Sequence, residues 1–412
     1  MIVGAIADDL SGAAGVAGDF ARFGLSACVM SWHALPAAAP NDDVIVIDTD
    51  SRGCSAEESA SRHVRAATWL RPAAPRQLLL KIDSQLRGHP GANLGALLRL
   101  MEAPSALVAC AVPEQGRTVV GGVVHLCGQP MTDAAGRPLN VADMLAHGLP
   151  DWPVQVIKAE SAGGNWAVLA HAHRGIVVAD AANAWDQYAA IRHALSAGIG
   201  FIATSYGAAG PVLATQARLS ATAPVLALSG SVSRSARRQL TVALQRGGFE
   251  PIYLDTGGAP SVHSAVCQRV AALLAEGRDV LVHTAPATAA LDDIPMDVDA
   301  AAASVVEAFC VQLLQKFTGR LGAVIATGGA TAAALLCAAG AKGTRCNGIE
   351  AAPCAPLMRM DGGVLDGVPL ITKPGAFGDE SSLAQILNAA RIAAYIDTTR
   401  RHVPESPPAT FI

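Results

Sequence analysis

Short runs of hydrophobic residues alternate along the chain with longer segments in which hydrophobic positions recur at helical spacing. The short runs predict β-strands, and the longer segments predict α-helices. In the first half the predicted strands are 2–7, 25–30, 44–48, 78–82, 106–112, 153–157, 176–180 and 200–204. The predicted helices of this half are 12–23, 55–70, 91–102, 184–197 and 210–219. This alternation predicts βαβ units and a mostly parallel sheet.

One segment, 118–130, departs from the alternation, since it carries Val-Val-Gly-Gly-Val-Val-His-Leu and therefore predicts a hairpin insert. After residues 220–224 the alternation starts again. The predicted strands of the second half are 225–229, 251–254, 280–283, 323–327 and 369–372. The predicted helices are 234–246, 261–276, 299–318, 331–339 and 381–394.

A chain of 412 residues is too long for one typical core, so we predict an α/β fold with two α/β domains. The predicted domains are 1–222 and 223–398, and a proline-rich flexible tail is predicted at 399–412.

The composition excludes several classes of function. Charged residues make up 16% of the chain, the net charge is −4 and aromatic residues make up 4%, so neither a basic face nor stacking platforms for nucleic acid are expected. The chain starts directly in a strand, and the uncharged stretch 323–341 is interrupted by Thr327-Gly328-Gly329, so neither a signal peptide nor a membrane span is predicted. Nine cysteines without a C-x-x-C pair are typical of buried, reduced thiols in a cytoplasmic protein.

Polar clusters follow three strands of the first half. Asp8 and Asp9 follow the first strand, Asp48-Thr49-Asp50-Ser51-Arg52 overlaps the end of the third, and Lys81 to Gly88 overlaps the end of the fourth. The carboxyl ends of parallel strands share one edge of a sheet, where α/β enzymes bind ligands. Arginine grips carboxylates bidentately and acids bind hydroxyl groups, so this mixture suits a small polyhydroxy acid. The alternative is a set of helix caps and surface ion pairs.

Three loops of small residues follow strands in the second half: Leu228–Ser233, Ala326–Thr331 and Lys373–Gly378. Backbone amides at a helix start form an anion site, although tight packing also selects glycine. Three such loops beside Lys373 favour a nucleotide, and none matches a P-loop or a dinucleotide motif. A hydroxy-acid domain and a phosphate-binding domain together predict a kinase with its active site in the cleft between them and Mg²⁺ on the phosphates.

These residues resemble the four-carbon acid sugar kinase family over nearly the whole chain. The resemblance rests on Ile6–Ala13, Asp48–Arg52, Lys81–Gly88, Pro113–Thr118, Ser229–Ser233, Gly328–Thr331 and Lys373–Gly378. It implies an ATP-dependent kinase that phosphorylates the C4 hydroxyl of threonate, erythronate or a 3-oxo-tetronate. It also implies an N-terminal sugar-acid domain and a C-terminal nucleotide domain.

The resemblance assigns residues to both ligands. It implies sugar-acid contacts from Asp9, Arg52, Lys81, Ile82, Asp83 and Ser84, to which we add Asp8 and Arg87 from the same clusters. It implies ATP contacts from Ser231, Gly328, Gly329, Ala330, Thr331 and Gly375, to which we add Ser233, Lys373 and Gly378 from the same loops. No metal ligand is assigned.

Our mechanistic hypothesis is that Arg52 and Lys81 hold the substrate carboxylate while Asp9 and Asp83 orient hydroxyl groups. The base that receives the C4 proton is Asp379, Asp9 or Asp83. Asp379 follows Gly378 at a helix start, like the base of ribokinase-type kinases by analogy, and it would equally serve as an N-cap.

Two alternatives stay open. The chain would also suit a kinase of a different small hydroxy acid. A non-catalytic sensor of sugar acid or nucleotide would explain Ala330, where the family has Glu, and Pro374, where the family has Ser. The alanine-rich segment 331–341 suits either a homodimer interface or the core.

Overall fold

The computed structural model describes residues 1–146, 148–159, 163–166, 175–220, 222–231, 233–285 and 300–401. Their contacts separate one compact unit, Met1–Thr215, from a second that begins at Gln216. Each unit is built on a large, mostly parallel sheet with helices, which confirms the predicted α/β fold class. The domain boundary at residues 222 and 223 stays a prediction.

The first unit contains eleven strands and six α-helices among its described residues, the last of which continues into the second unit. The strands are β1 Val3–Ala7, β2 Ala27–Ser31, β3 Val44–Asp48, β4 Gln77–Lys81, β5 Ser105–Ala109, β6 Arg117–Val120, β7 Val123–Leu126, β8 Gln129–Pro130, β9 Val154–Ile157, β10 Gly175–Ala179 and β11 Phe201–Thr204. The helices are α1 Leu10–Ala21, α2 Ala56–Leu70, α3 Pro90–Leu100, α4 Val141–Ala146, α5 Ala184–Ser196 and α6 Ala209–Leu219.

Eight of these strands form one parallel sheet in the order β2-β3-β1-β4-β11-β5-β10-β9. Every residue of β1, β3, β4, β5 and β10 is buried, as expected for parallel strands covered on both faces. The register pairs Ala7 with both Asp48 and Lys81, and Thr204 with Lys81. The carboxyl ends of β3, β1, β4 and β11 are therefore level, and the polar residues that follow them meet at one edge.

The predicted hairpin insert is confirmed as the antiparallel sheet β6-β7-β8, which has a third, short strand. The amides of Gly121 and Gly122 each donate to the carboxylate of Asp180 at 2.8 Å. Val119 also pairs with Ala181 beyond the end of β10. These contacts fix the hairpin against the main sheet.

The second unit contains seven strands and five further helices among its described residues. The strands are β12 Val225–Ser229, β13 Glu250–Tyr253, β14 Val280–His283, β15 Ala323–Thr327, β16 Gly343–Ala352, β17 Ala355–Asp361 and β18 Pro369–Lys373. The helices are α7 Arg234–Arg246, α8 Pro260–Ala275, α9 Ala300–Lys316, α10 Gly329–Ala339 and α11 Ser382–Arg401. The strand order is β13-β14-β12-β15-β18-β17-β16, in which the last two strands are antiparallel.

The pair β16-β17 is absent from the predicted strands. Its register shifts between Cys346 and Ile349 and again between Glu350 and Ala352. Such irregularities break the two-residue hydrophobic period from which a strand is predicted.

Three further predictions concern the cysteines, membrane spans and the C-terminal tail. All nine cysteines are free, but the prediction that they are buried is wrong for Cys127, Cys337, Cys346 and Cys354, which are exposed. Among the described residues, no helix combines the length and apolar character needed to cross a bilayer. Helix α11 is described as far as Arg401, so the flexible tail predicted from residue 399 is wrong for 399–401, and residues 402–412 lie outside the described residues.

Candidate functional site

The loops after β1 and β3 pair with each other beyond the ends of their strands. Thr49 N–H donates to Ala7 O at 2.9 Å, and the N–H groups of Ser51 and Arg52 donate to Asp8 O at 2.9 and 3.2 Å. This backbone pairing places the Arg52 side chain beside the two adjacent acids.

Arg52 holds both acids at once. Its Nε and Nη2 donate to the two oxygens of Asp8 at 2.9 and 2.8 Å, and its Nη1 and Nη2 donate to those of Asp9 at 2.9 and 2.8 Å. Hydrogen bonding to Asp8 raises the pKa of Arg52, against the effect of burial. Since a guanidinium has five N–H donors, these bonds leave it one.

Asp9 is also the N-cap of α1, because its Oδ1 accepts from Gly12 N–H at 2.9 Å. Capping and a place in the charged cluster, treated as alternatives in the sequence analysis, are therefore combined in one side chain.

Asp83 is bound by the arginine four residues later. Arg87 Nε and Nη2 donate to its two oxygens at 2.8 and 2.9 Å, and Gln85 N–H donates at 3.1 Å. Burial acts to raise the pKa of Asp83, but the hydrogen bonds from Arg87 outweigh burial and lower it to about 2. The carboxylate is therefore ionised at neutral pH, and each of its oxygens already accepts from Arg87.

Lys81 is buried beside these carboxylates. Its Nζ donates to Ile82 O at 2.8 Å, which leaves two of its three hydrogens for other acceptors. Burial lowers the pKa of Lys81, while the charges of Asp8, Asp83 and Asp9 act in the opposite direction. The side chain of Ile82 lies in the hydrophobic core of the first unit.

These residues surround a cavity of about 490 Å³ at the carboxyl edge of the first sheet. Six of the predicted substrate residues line it: Asp9, Arg52, Lys81, Asp83, Ser84 and Arg87. The other two, Asp8 and Ile82, do not. The lining also contains polar residues that the sequence analysis did not assign: Ser11, Gln115, Arg117, Ser205 and Tyr206. Gln115 and Arg117 belong to the motif Pro113–Thr118, which directly follows the predicted strand 106–112, so its place at a strand end was a usable signal.

The charge of the lining favours an anion. Four cationic side chains, Arg52, Lys81, Arg87 and Arg117, face two carboxylates, Asp9 and Asp83. Asp8 reduces this excess from behind the lining through its bond to Arg52. The cavity therefore combines net positive charge with oxygen acceptors for hydroxyl groups.

In the second unit, the three small-residue loops leave adjacent strands, β12, β15 and β18. Gly230 N–H donates to Thr327 O at 3.3 Å, and Gly328 N–H donates to Lys373 O at 2.9 Å. The structure thus brings together all three loops that the sequence analysis identified.

Two glycines lie where these loops touch, and the contact is tighter at Gly375 than at Gly230. A Cβ on Gly230 would lie 2.0 Å from Thr331 Oγ1, and one on Gly375 would lie 2.1 Å from Ser231 Oγ. A Cβ on Gly375 would also lie 2.5 Å from Ser231 Cβ, so rotation of the serine side chain does not relieve this contact, whereas rotation of Thr331 would relieve the contact at Gly230.

Two helices start at these loops. Ser233 caps α7 by accepting from Ala236 N–H at 3.2 Å, and its Oγ lies 3.3 Å from Ser231 Oγ. Helix α10 begins after Gly328 without a side-chain cap, and Gly329 and Ala330 are exposed in its first turn. The first amides of α10 are therefore available to an anion.

Lys373 stabilises the third loop, Lys373–Gly378, through its buried side chain. Only 2% of the residue is exposed, and its Nζ donates to the carbonyl oxygens of Pro374, Gly375 and Phe377 at 2.8, 3.1 and 2.8 Å. Burial lowers the pKa of Lys373 to about 8, while the three oxygens favour its charged form. All three of its hydrogens are used within the protein.

Asp379 stands at the start of α11, just after Gly378. Its Oδ1 accepts from Ser381 N–H and Oγ at 2.8 Å each and from Ser382 Oγ at 3.0 Å. The hydrogen bond from the Ser381 hydroxyl is the main cause of its lowered pKa. Asp379 therefore uses one oxygen to hold the turn that leads into α11, and no hydrogen bond from a described residue to Oδ2 is seen.

Comparison with known proteins matches each of the two units to a domain family. A family model described as a sugar-binding N-terminal domain matches residues 3–214, and one described as a nucleotide-binding C-terminal domain matches residues 226–383. A D-threonate kinase from Cupriavidus necator is 34% identical over 92% of this chain and 95% of its own length. A D-erythronate kinase from Heliobacterium modesticaldum is 28% identical over 92% of this chain and 94% of its own length.

The fold is also similar to that of a solved structure. A domain of unknown function from Bordetella bronchiseptica, described as a domain-swapped dimer with bound citrate, has a TM-score of 0.73 and 27% identity. The match covers 95% of this chain and 99% of that one.

The bond between Asp83 and Arg87 predicts a pH-dependent loss of stability on substitution. The folded pKa of Asp83, about 2, is below its ordinary value of 3.8, so the stabilisation is complete above pH 3.8 and is lost as the pH falls towards 2. Arg87 is 59% exposed, so we expect Arg87→Met to lower the free energy of unfolding by only about 1 kcal/mol at neutral pH. Urea unfolding of both proteins should show this difference shrinking below about pH 4.

The control is Arg137→Met, which removes another Asp–Arg pair of the same spacing, in which the arginine is 80% exposed. We expect a smaller effect from it. A difference between wild type and Arg87→Met that stays constant down to about pH 3 would contradict the proposed linkage.

Proposed function

Because the chain belongs to the four-carbon acid sugar kinase family, we propose that it transfers the γ-phosphoryl group of ATP to the C4 hydroxyl of D-threonate. D-Threonate is our first choice because the D-threonate kinase of C. necator shares more identity with the chain than the D-erythronate kinase does. The observation that carries the proposal is the cavity of the first unit, in which four cations and two carboxylates suit a small hydroxy acid. The citrate of the B. bronchiseptica structure is a hydroxy acid too.

Within this cavity, the free hydrogens of Lys81 would bind oxygen atoms of the acid, and Asp9 would accept from its hydroxyl groups. Arg52 has one remaining N–H, so its main contribution is to fix Asp9 and Asp8. Asp83 contributes in the same way, since both its oxygens are bound to Arg87.

The loops of the second unit fit the phosphates of ATP. The uncapped start of α10 at Gly328 to Thr331 offers backbone amides, and Ser231 offers a hydroxyl nearby. Gly375, Gly378 and Ser233 shape this surface, and Lys373 holds its third loop in place. We expect Lys373 to act through the loop rather than by touching phosphate.

Mg²⁺ would bind through phosphate oxygens. Within the described residues no group of three or more His, Cys, Asp or Glu side chains could hold a metal ion. This is compatible with a magnesium ion bound mainly by ATP and water, where it would neutralise charge on the phosphates.

For the base we propose Asp379. Asp83 has a pKa near 2 and no free oxygen, and Asp9 is bound by Arg52 and Gly12. Asp379 retains Oδ2, which would orient the C4 hydroxyl and receive its proton.

We also propose that the protein acts in the cytoplasm, where ATP is available, and that it forms a homodimer. The domain-swapped dimer of the B. bronchiseptica protein supports the second point. Sedimentation of the intact chain as a monomer would contradict it.

The function is tested by coupled ADP release with Mg-ATP and a panel of acids: D- and L-threonate, D- and L-erythronate and their 3-oxo forms. We expect D-threonate to exceed the other acids in kcat/KM by about tenfold or more, because hydroxyl-binding sites discriminate strongly between epimers. Turnover of another panel member would keep the kinase and correct the substrate. No turnover in protein that binds ATP would favour a different hydroxy acid, and no turnover without ATP binding would favour the sensor.

The nucleotide surface is tested by Gly375→Ala. The added Cβ would meet Ser231 Oγ at 2.1 Å and force two loops apart, so we expect ATP affinity to fall about tenfold or more. Titration calorimetry with ATP measures this. The control is Gly343→Ala, since a Cβ on Gly343 has no heavy atom within 4 Å. Equal ATP affinity in both variants would exclude the loops from the nucleotide site.

The base is tested by Asp379→Asn, which keeps an oxygen for Ser381 and Ser382 but cannot accept the proton. We expect kcat to fall by about 10²–10⁴ with little change in KM for the acid. The neighbouring Glu380, whose side chain is 67% exposed, provides the control Glu380→Gln. A loss of less than about tenfold in Asp379→Asn would remove Asp379 as the base.

A further inference from the structure

The arginines of the first-unit cavity differ in what they bind. Arg52 and Arg87 each use the same edge of the guanidinium, formed by Nε and Nη2, to hold a protein carboxylate: Asp8 for Arg52 and Asp83 for Arg87. This edge presents two parallel N–H groups, which match the two oxygens of a carboxylate. In both residues it is therefore occupied by the protein itself.

In Arg117 the same edge is free among the described residues. Its Nη1 donates to Ser84 Oγ at 3.1 Å, but neither Nε nor Nη2 donates to a described residue. Nε is buried all the same, and buried donors in folded proteins nearly always have a partner. Arg117 is one of the residues that line the cavity, whose charge suits an anion.

The position of Arg117 is fixed from two sides. Its backbone exchanges hydrogen bonds of 2.8 and 3.1 Å with Val112, which follows β5. The hydrogen bond to Ser84 fixes the far end of the side chain. A guanidinium held at its backbone and at Nη1 has little freedom left, so its free edge is preorganised.

A second unpartnered polar atom lies in the same cavity. Ser205 is 2% exposed, and its Oγ has no hydrogen-bond partner among the described residues. Arg117 Nε and Ser205 Oγ are thus both buried and both without a partner among the described residues, which suits a ligand that brings carboxylate and hydroxyl oxygens.

We propose that Arg117 binds the carboxylate of the substrate through Nε and Nη2 and thereby selects an acid over a neutral polyol derivative. The proposal rests on the proposed function, because it takes the ligand of this cavity to be a sugar acid. It transfers to Arg117 the role that the sequence analysis expected of Arg52. Ser84 is then a positioning residue, which orients Arg117 through Nη1.

The test compares D-threonate with D-threonamide, which keeps the carbon chain and hydroxyl groups but has no charge. We expect the wild type to prefer the acid in kcat/KM by about 10²-fold, as two charge-assisted hydrogen bonds imply. Arg117→Met should reduce this preference to about threefold or less, while turnover of the amide changes by less than about threefold. Arg117→Lys keeps the charge without the two-point edge and should retain a preference of about tenfold.

Turnover of the amide reports that the Arg117→Met enzyme is folded and catalytically intact. Arg137→Met serves as the control, since Arg137 lies outside this cavity, and should keep the wild-type preference. The proposal is overturned if Arg117→Met keeps the wild-type preference for the acid. It is equally overturned if both substrates lose activity to the same extent, which is the result of a purely structural role.

Binding separates this proposal from the kinase function. If the wild type releases no ADP with either compound, titration calorimetry with D-threonate alone still decides the role of Arg117. Binding to the wild type that is lost in Arg117→Met would support the carboxylate site without the kinase. Turnover by the wild type with an unchanged preference in the variant would retain the kinase and reject the site, and wild type that neither binds nor turns over D-threonate would reject both.

Discussion

Arg52 links two loops whose interacting residues lie 43 and 44 positions apart in the chain, since its guanidinium binds Asp8 and Asp9 together. Without this cation two adjacent carboxylates would face each other and Asp83 across a partly buried surface, where unpaired charge is unfavourable. The level ends of β1 and β3 make the contact possible, and the contact then fixes Asp9. The geometry of the first-unit cavity depends on this arrangement.

Both units share one feature: most charged side chains that follow the strands form hydrogen bonds with other groups of the protein. Arg87 binds Asp83, and Lys373 binds three carbonyl oxygens of its own loop. Groups occupied in this way shape a ligand surface and fix its charge, while the donors they leave unused are the ones a ligand can reach. A count of charged residues in a motif therefore overstates how many of them touch substrate.

The sequence allowed the elements and the place of the site to be predicted, because hydrophobic period locates strands and parallel strands end at one edge. The strand pair β16-β17 was missed because its irregular register destroys that period. The hydrogen-bond partners of the charged side chains could not be predicted either. The carbonyl oxygens that bind Lys373 belong to the backbone, which has the same chemistry at every residue. Arg117 was missed because its motif, Pro113–Thr118, follows a predicted strand but was matched to the family without a role for its residues.

In the hairpin β6-β7, the contacts that attach it to the main sheet are separate from the side chain that we propose binds the substrate. Asp180 and Ala181 anchor it by backbone contacts, so its attachment requires few particular side chains on the hairpin itself. The strands beneath are constrained by burial on both faces and the turn Gly121-Gly122 by its bonds to Asp180, whereas the side chain of Arg117 takes part in neither. Arg117 could therefore be replaced in evolution without loss of the contacts that attach the hairpin to the sheet. Related enzymes could diverge in the acids they accept by such changes at the rim.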